Sequence, residues 1–574
     1  MSTRCCYFLL LLLLLAINTP SHAQNLEEIG VKKGVKVNGS INLNAVGYHV
    51  DGMEMRRDPF NWFLTGNVNI KLFGYDAPLS FSYSNANRSF SQPFNQFSFQ
   101  PHYKWIKTYI GYNSMTFSNY TLAGHVFLGG GVDLSPGKWK ISAMAGRLRK
   151  AVPFDVNDSL QHFNASYKRM GYGLKVGYEN DGDRIAISIF TARDEKNSIP
   201  FVYPESDLTP MQNVAISIAG RKTFLKRFFV DAEYAISAIN KDTRLNESGD
   251  TLETKSNNLL HGILPENSTS RYYDALNASL GYQGNWFSVQ VKYERIAPEY
   301  QTLGAYFFNN DLRNITVAPS VRLFDNTLNL TANVGIQQNN LDDTRASTTE
   351  RKVGSISANY APNERWNFVM DYSNFTSYTN IKPQPDPFFQ NPLDTLNFFQ
   401  VSQTLNHTII RSLGSQEKPQ NIMLNASYQK VSDKASYEGG DHGSDFFSIN
   451  VSYNYSVVPK NLTLSVAGNW YENNAGGLRS TYWGPTLGLT KAFYEKTLRT
   501  SLATSYNETS GDVSSSPVLN NRLSLTFSPK SKKKSGNTPH NFSAGVNLLK
   551  RMKSLENAPA YTETTATVNY SYSF

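Results

Sequence analysis

The chain has 574 residues, a formal net charge of +9 and an aromatic content of 13%, with 33 Tyr and 34 Phe. A modest positive charge spread over this length excludes a nucleic-acid footprint and leaves only a weak pull toward anionic lipid headgroups. The two cysteines, Cys5 and Cys6, both precede the first apolar run, so no disulfide framework or cysteine-based metal site is available beyond it.

Met1 to Ala23 carries Arg4, then seven consecutive leucines from Leu9 to Leu15, then Pro20-Ser21-His22-Ala23. That order of basic, apolar and small-x-small segments is a secretory signal, and its apolar run is too short to span a bilayer. A lipoprotein would need a cysteine after the apolar run, where this chain has none. The expected organisation is a signal at 1–23, a periplasmic segment at 24–34 and a barrel over 35–574.

No other apolar run approaches a membrane helix, and the mean hydropathy is -0.42. A membrane protein this polar must be a closed barrel, because lipid-exposed backbone has to be hydrogen-bonded within the protein. From Val35 onward, segments of roughly 9–15 residues alternate with period two, as tilted transmembrane strands do. The first is expected near Val35 to Val46, the next over 62–73. Met170, Tyr172, Leu174, Val176 and Tyr178 would face out, against Lys175 and Glu179. Phe228, Val230, Ala232, Tyr234 and Ile236 oppose Asp231 and Glu233. Phe287, Val289, Val291 and Tyr293 oppose Lys292 and Glu294. The pattern predicts an all-β fold, a single large transmembrane antiparallel barrel of about 26 strands, within 24–26.

Connections alternate between short and long. Short ones include 134–137, 179–183, 225–227, 284–286, 324–327, 362–365, 457–461 and 493–495. Long polar ones cover 114–122, 148–163, 194–211, 241–270, 298–311, 339–350, 379–396, 433–444 and 474–479. Outer-membrane barrels have short periplasmic turns and longer external loops. The turn at 529–536 breaks this rhythm, being long and basic; it is read as a solvated loop or as a contact for an acidic periplasmic partner.

The familiar catalytic and phosphate-binding motifs are missing, and the nine histidines show no ligand spacing. No catalytic residue, metal or cofactor is assigned. Gly129-Gly130-Gly131 reads as a place of close packing in the wall. The aromatic and amide-rich loops of 56–150 suit sugars or peptides, or else form girdles and the core of an infolded loop. Candidate lumen and mouth residues are Arg88, Arg147, Arg149, Lys175, Glu179, Arg221, Asp231, Glu233, Lys292 and Glu294. Arg147 and Arg149 would line the outer mouth or snorkel to lipopolysaccharide phosphates. The mixed signs fit cross-strand pairs as well as an ion-selective ring, so they set no selectivity.

Gly66-Asn-Val-Asn69, Phe94-Asn95-Gln96-Phe97, Met115-Thr-Phe117-Ser-Asn119-Tyr120-Thr-Leu122 and Gly137-Lys-Trp139 carry a resemblance. The chain resembles a porin-like family of large, uncharacterised outer-membrane β-barrels of Bacteroidota-type bacteria, over about the first quarter of its mature length. The resemblance implies location and architecture and brings no functional residues. TonB-dependent transporters and barrel-assembly proteins are poorer matches, because they carry a plug or periplasmic domains before the barrel.

Three functions are compatible with these readings. One is a porin-like channel for solutes or a polypeptide, its lumen narrowed by the loops at 86–99, 241–270 and 379–396. Another is an accessory barrel of a secretion or adhesion system that binds a protein partner. The last is an integral hydrolase. Tyr570, Tyr572 and Phe574 end the chain on alternating aromatics, a pattern like that read by barrel-assembly machinery. The expected setting is the bacterial outer membrane, with lipopolysaccharide contacts and both termini periplasmic. Cleavage should fall after Ala23 and leave Gln24 as the first mature residue; Edman sequencing that finds Met1 retained would overturn the signal assignment.

Overall fold

The structure, a computed structural model, describes residues 36–72, 74–85, 95–154, 165–202, 206–245, 264–265, 267–306, 310–342, 350–374, 403–431, 443–511, 516–529, 539–552 and 560–574. The signal, the 24–34 segment, Arg88, the connection 379–396 and most of the basic turn lie outside these residues.

A strand in lipid has to pair on both edges, since an unmet backbone donor there finds no water. Here every wall strand does so. The first stretch holds β1 (Lys36–Asp51), β2 (Phe60–Leu72), β3 (Tyr75–Ser84), β4 (Gln96–Phe99) and β5 (His102–Tyr103). Next come β6 (Ile106–Thr116), β7 (Ala123–Leu134), β8 (Trp139–Arg149), β9 (Arg169–Asn180) and β10 (Asp183–Asp194). They are followed by β11 (Gln212–Phe224), β12 (Phe228–Asn240), β13 (Ser270–Gln283), β14 (Phe287–Ile296) and β15 (Leu312–Leu323). Then β16 (Leu328–Gln338), β17 (Glu350–Asn363), β18 (Trp366–Ser373), β19 (Gln403–Gly414), β20 (Pro419–Val431) and β21 (Ser444–Val457) continue the wall. It ends with β22 (Leu462–Ala475), β23 (Leu478–Phe493), β24 (Leu498–Gly511), β25 (Ser516–Phe527), β26 (His540–Arg551) and β27 (Tyr561–Ser573).

Each strand pairs antiparallel with its chain neighbour, and β1 pairs with β27 from Ser40↔Ser573 to Asp51↔Thr562. Segments β4 and β5 both lie between β3 and β6, interrupted at Gln100-Pro101, so the ring has 26 positions. The fold class expected from the alternation is therefore the one observed.

Alternation also settles which face looks out. On β10, Ile185, Ile187 and Ile189 are 53%, 50% and 42% exposed, while Ser188 and Phe190 between them are 2% and 0% exposed. The apolar exposed set forms the lipid-facing belt, and the other set meets side chains inside the ring. On β27 the outer set is Ala566, Val568, Tyr570 and Tyr572, and the Phe574 ring lies 5.5 Å from that of Tyr572.

The short connections gather at one end of the barrel, hereafter the turn end, and the long ones at the other, the loop end. Asp181-Gly182 between β9 and β10 has φ of 51° and 87° at its two residues, the left-handed pair that a two-residue hairpin requires. One expectation is corrected here. The stretch 474–479, read as a long loop, is a tight Gly476-Gly477 turn with φ of 58° and 80°. Two adjacent glycines accept that geometry at no steric cost, so the strands run up to them and the loop vanishes.

The seam depends on the last residue. Phe574 N–H donates to the Gly39 carbonyl, and Gly39 N–H donates to the Phe574 carbonyl, both at 3.0 Å. Deleting Phe574 removes both bonds and an outer aromatic, at about 1 kcal/mol per bond. The heat-modifiable, membrane-inserted form should fall well below wild type on semi-native gels; normal levels would show that the seam closes without it.

Candidate functional site

The lumen is built differently along two arcs of the wall. Between β6 and β15 the inner face is apolar near the loop end. Phe127, Met144, Leu148, Phe190, Ile239 and Ala275 all lie there, buried. Two connections fold inward to cover them, 117–122 after β6 and 297–306 after β14. Leu122 and Tyr300 are 0% exposed. Burying such side chains stabilises the fold by about 1.5–3 kcal/mol each.

Hydrogen bonds lock the two loops together and to the wall. Tyr300 donates its hydroxyl to the Tyr120 carbonyl at 2.7 Å, and Thr302 donates to the Thr121 carbonyl at 2.8 Å. Ala123 N–H donates to the Gly304 carbonyl at 3.0 Å. Asn213 on β11 accepts from Leu303 N–H at 3.1 Å while donating to Ser237 and Ala238 at 2.8 Å. Ser237 in turn donates to the Gln301 carbonyl at 2.6 Å. Two glycines leave the room. A Cβ on Gly304 would sit 2.5 Å from the Thr121 carbonyl oxygen, and one on Gly173 would sit 2.5 Å from the Phe117 ring.

The candidate charges on this arc are spent on one another and on the loops. Lys175 donates to the Phe117 carbonyl at 2.7 Å, and Glu233 lies within its electrostatic reach. Lys292 donates to Glu294 at 3.2 Å, and Glu294 also accepts the Tyr120 hydroxyl at 2.8 Å. Nearer the turn end, Glu179, Arg184, Arg221 and Asp231 stand abreast across β9 to β12. Arg184 reaches over β11 to Asp231 at 2.9 Å, and the Arg221 guanidinium lies 4.3 Å from the centre of the Phe229 ring. Arg149 follows a bulge, pairs in register with Arg169 and lies near Asp194 and Tyr306 inside. Arg147 is on the outer face, donating to the Tyr112 hydroxyl at 3.1 Å.

At the loop end, Glu299 accepts from Lys241 at 2.7 Å and from Tyr273 at 3.0 Å. The Lys241 hydrogen bond, then that of Tyr273, holds its carboxyl below the usual glutamate range. His125 is structural: its ring stacks on Tyr306 at 4.0 Å, and its Nδ1 is 2.8 Å from the Val126 carbonyl.

From β16 to β26 the inner face changes character. Asn333, Thr408, Asn425, Asn450, Ser465 and Thr490 are typical of its inward residues. Among the described side chains, its inner charges are Asp371, Arg499, Arg522 and Arg551. Phe446, Tyr471 and Tyr482 form a run of half-buried rings across β21 to β23, with centroids 5.9 and 5.4 Å apart. These residues were not among the sequence candidates, although their Asn/Ser/Thr spacing of two was readable.

Most of the residues expected to narrow the lumen, 86–94, 246–263 and 379–396, lie outside the described residues. Residues 96–99 of the expected 86–99 plug are wall strand β4. Of 241–270, Leu264 packs on the outer face against Val214, Ile236 and Ala238. Those residues sit near the loop end of their strands.

A closed antiparallel ring with an apolar belt outside and polar groups inside defines a membrane-spanning β-barrel of the outer-membrane type. No family model matches the chain, and no curated protein is similar to it in sequence. Among solved structures it is similar to the P pilus usher (PapC) translocation pore, at 12% identity and a TM-score of 0.42. That match covers 94% of this chain and 99% of the usher chain. The FrpB iron transporter from Neisseria meningitidis gives 11% identity and a TM-score of 0.37 over 94% of this chain and 83% of that one. Pseudomonas aeruginosa OpdK with vanillate gives 11% and 0.30 over 64% and 94%. The strand order, and not these distant likenesses, carries the assignment.

Gly304→Val should drive the two loops apart, costing about 1–3 kcal/mol of local packing. Limited chymotrypsin digestion should then cut after Phe117, Tyr120 or Leu122 in the folded barrel, sites silent in the wild type. An unchanged digest would mean that the loops do not depend on this close approach.

Proposed function

We propose that the protein is a porin-like channel of the bacterial outer membrane that passes solutes along the amide- and hydroxyl-rich β16–β26 arc of its lumen. The observation that carries this reading is the attachment of both infolded loops to β6–β15. A barrel of this strand number is far wider than its side chains can fill. Loops fixed to one arc thicken that side of the wall and leave the β16–β26 side lined by amides and hydroxyls.

In this reading the long loops face outward from the cell, both termini are periplasmic, and the wall does no chemistry. The family kinship is to Bacteroidota-type barrels. Arg147 on the outer face meets lipopolysaccharide phosphate, and the Tyr570-Tyr572-Phe574 end is engaged by the assembly machinery. A lumen whose inward charges carry both signs discriminates less between ions than a ring of one sign.

Refolded protein in planar bilayers should conduct, with cation and anion permeabilities within about a factor of three of each other in a salt gradient. Gly304→Val should raise the conductance further. A silent bilayer with correctly folded protein would end the channel reading.

A further inference from the structure

We infer that the inner wall at β21–β23 is a docking track for a neutral oligosaccharide, with Phe446, Tyr471 and Tyr482 as its stacking platform. The inference deepens the channel reading by naming a cargo class.

Two features of the rings converge on this patch. The rings are consecutive, Phe446 to Tyr471 at 5.9 Å with 27° between planes and Tyr471 to Tyr482 at 5.4 Å with 54°. They are half-buried, each keeping part of its ring open to the lumen. Tyr120 and Tyr300 across the barrel are sealed instead, 2% and 0% exposed. An accessible aromatic face accommodates the C–H face of a pyranose, and successive rings hold successive sugar units.

The surroundings complete the chemistry. Tyr471 donates its hydroxyl to Asn450 Oδ1 at 2.8 Å, which fixes the ring and leaves the Asn450 amide N–H groups to donate. Asn469 and Asn473 follow on the same face of β22, and Ser448 and Thr486 flank the patch on β21 and β23. Amides and hydroxyls match both donors and acceptors of sugar hydroxyls. No acidic or basic side chain points inward from β20 to β23 among the described residues, so a charged cargo gains nothing there. A small apolar solute would leave these amides unmet, and an unmet buried polar group is unfavourable. An extended polypeptide is the closest competitor, and its charged side chains find no counterpart on this wall.

The test uses full-length mature protein, folded by the heat-modifiability criterion. A panel of neutral α- and β-linked hexaoses is titrated in detergent by calorimetry and added to bilayers for current blockage. At least one hexaose should bind and give resolvable blockages. Tyr471→Ala with Tyr482→Ala should weaken binding at least about tenfold, because two stacking faces are lost. Tyr471→Phe should keep most of the affinity.

No binding by any hexaose, wild-type binding by the double alanine variant, or stronger blockage by a neutral peptide of equal length would each overturn the inference. Conduction without glycan binding sinks the glycan track and leaves the channel. Glycan binding in detergent without conduction does the reverse.

Discussion

In lipid, every backbone donor and acceptor of this chain has to be met by the chain itself, and the rest of the structure follows from that requirement. It rules out an open sheet edge, so β1 must find β27 across more than five hundred residues of sequence. Closure then fixes two faces, one for lipid and one for the lumen. With so many strands, the second face encloses a space that side chains alone do not fill. The infolded loops and the amide-lined wall are two solutions to that problem within one ring.

Much of the architecture was legible in the sequence because its physics is local. Period-two alternation marks strands wherever one face meets lipid, and short turns with Asp181-Gly182 chemistry fix the register of hairpins. The inward placement of Lys175, Glu233 and Lys292 follows from parity alone. Errors arose where composition was taken for geometry. Gly476-Gly477, set among Asn and Glu, looked like loop sequence, yet two glycines readily take the positive φ at both positions that a tight hairpin requires.

The lumen was less legible because its content depends on which strands stand side by side. Loop length pointed to the longest connections as plugs, and most of their residues lie outside those described; among the described residues the shorter 117–122 and 297–306 connections cover the inner wall. The signal was present in the strands themselves. On β12 the alternation breaks down in Ala235-Ile236-Ser237-Ala238-Ile239, where both faces turn apolar. A strand that meets lipid outside and is apolar inside has to be covered from within. The nearby 117–122 and 297–306 connections bring Phe117, Leu122, Tyr300 and Leu303 to do it. In the same way, the mixed charges of β9 to β12 look like an undecided filter in one dimension and become a self-neutralising row once Arg184 is seen to reach Asp231.

This division has a consequence for how the wall is shared between stability and function. On β6–β15, inner residues are committed: a buried apolar cluster, two clamped loops and charges that answer one another. Moving any of them exposes apolar surface or strands a charge, so this arc is rigid by construction. On β16–β26 many inner side chains are amides and hydroxyls, which water satisfies as readily as a neighbour does. They need no cover to be stable, and they can exchange water for a passing polar solute at little net cost. The arc that holds the barrel's interior together is thus separate from the arc whose inner amides and hydroxyls stay open to water. In the proposed channel, passage along the second does not require displacing the first.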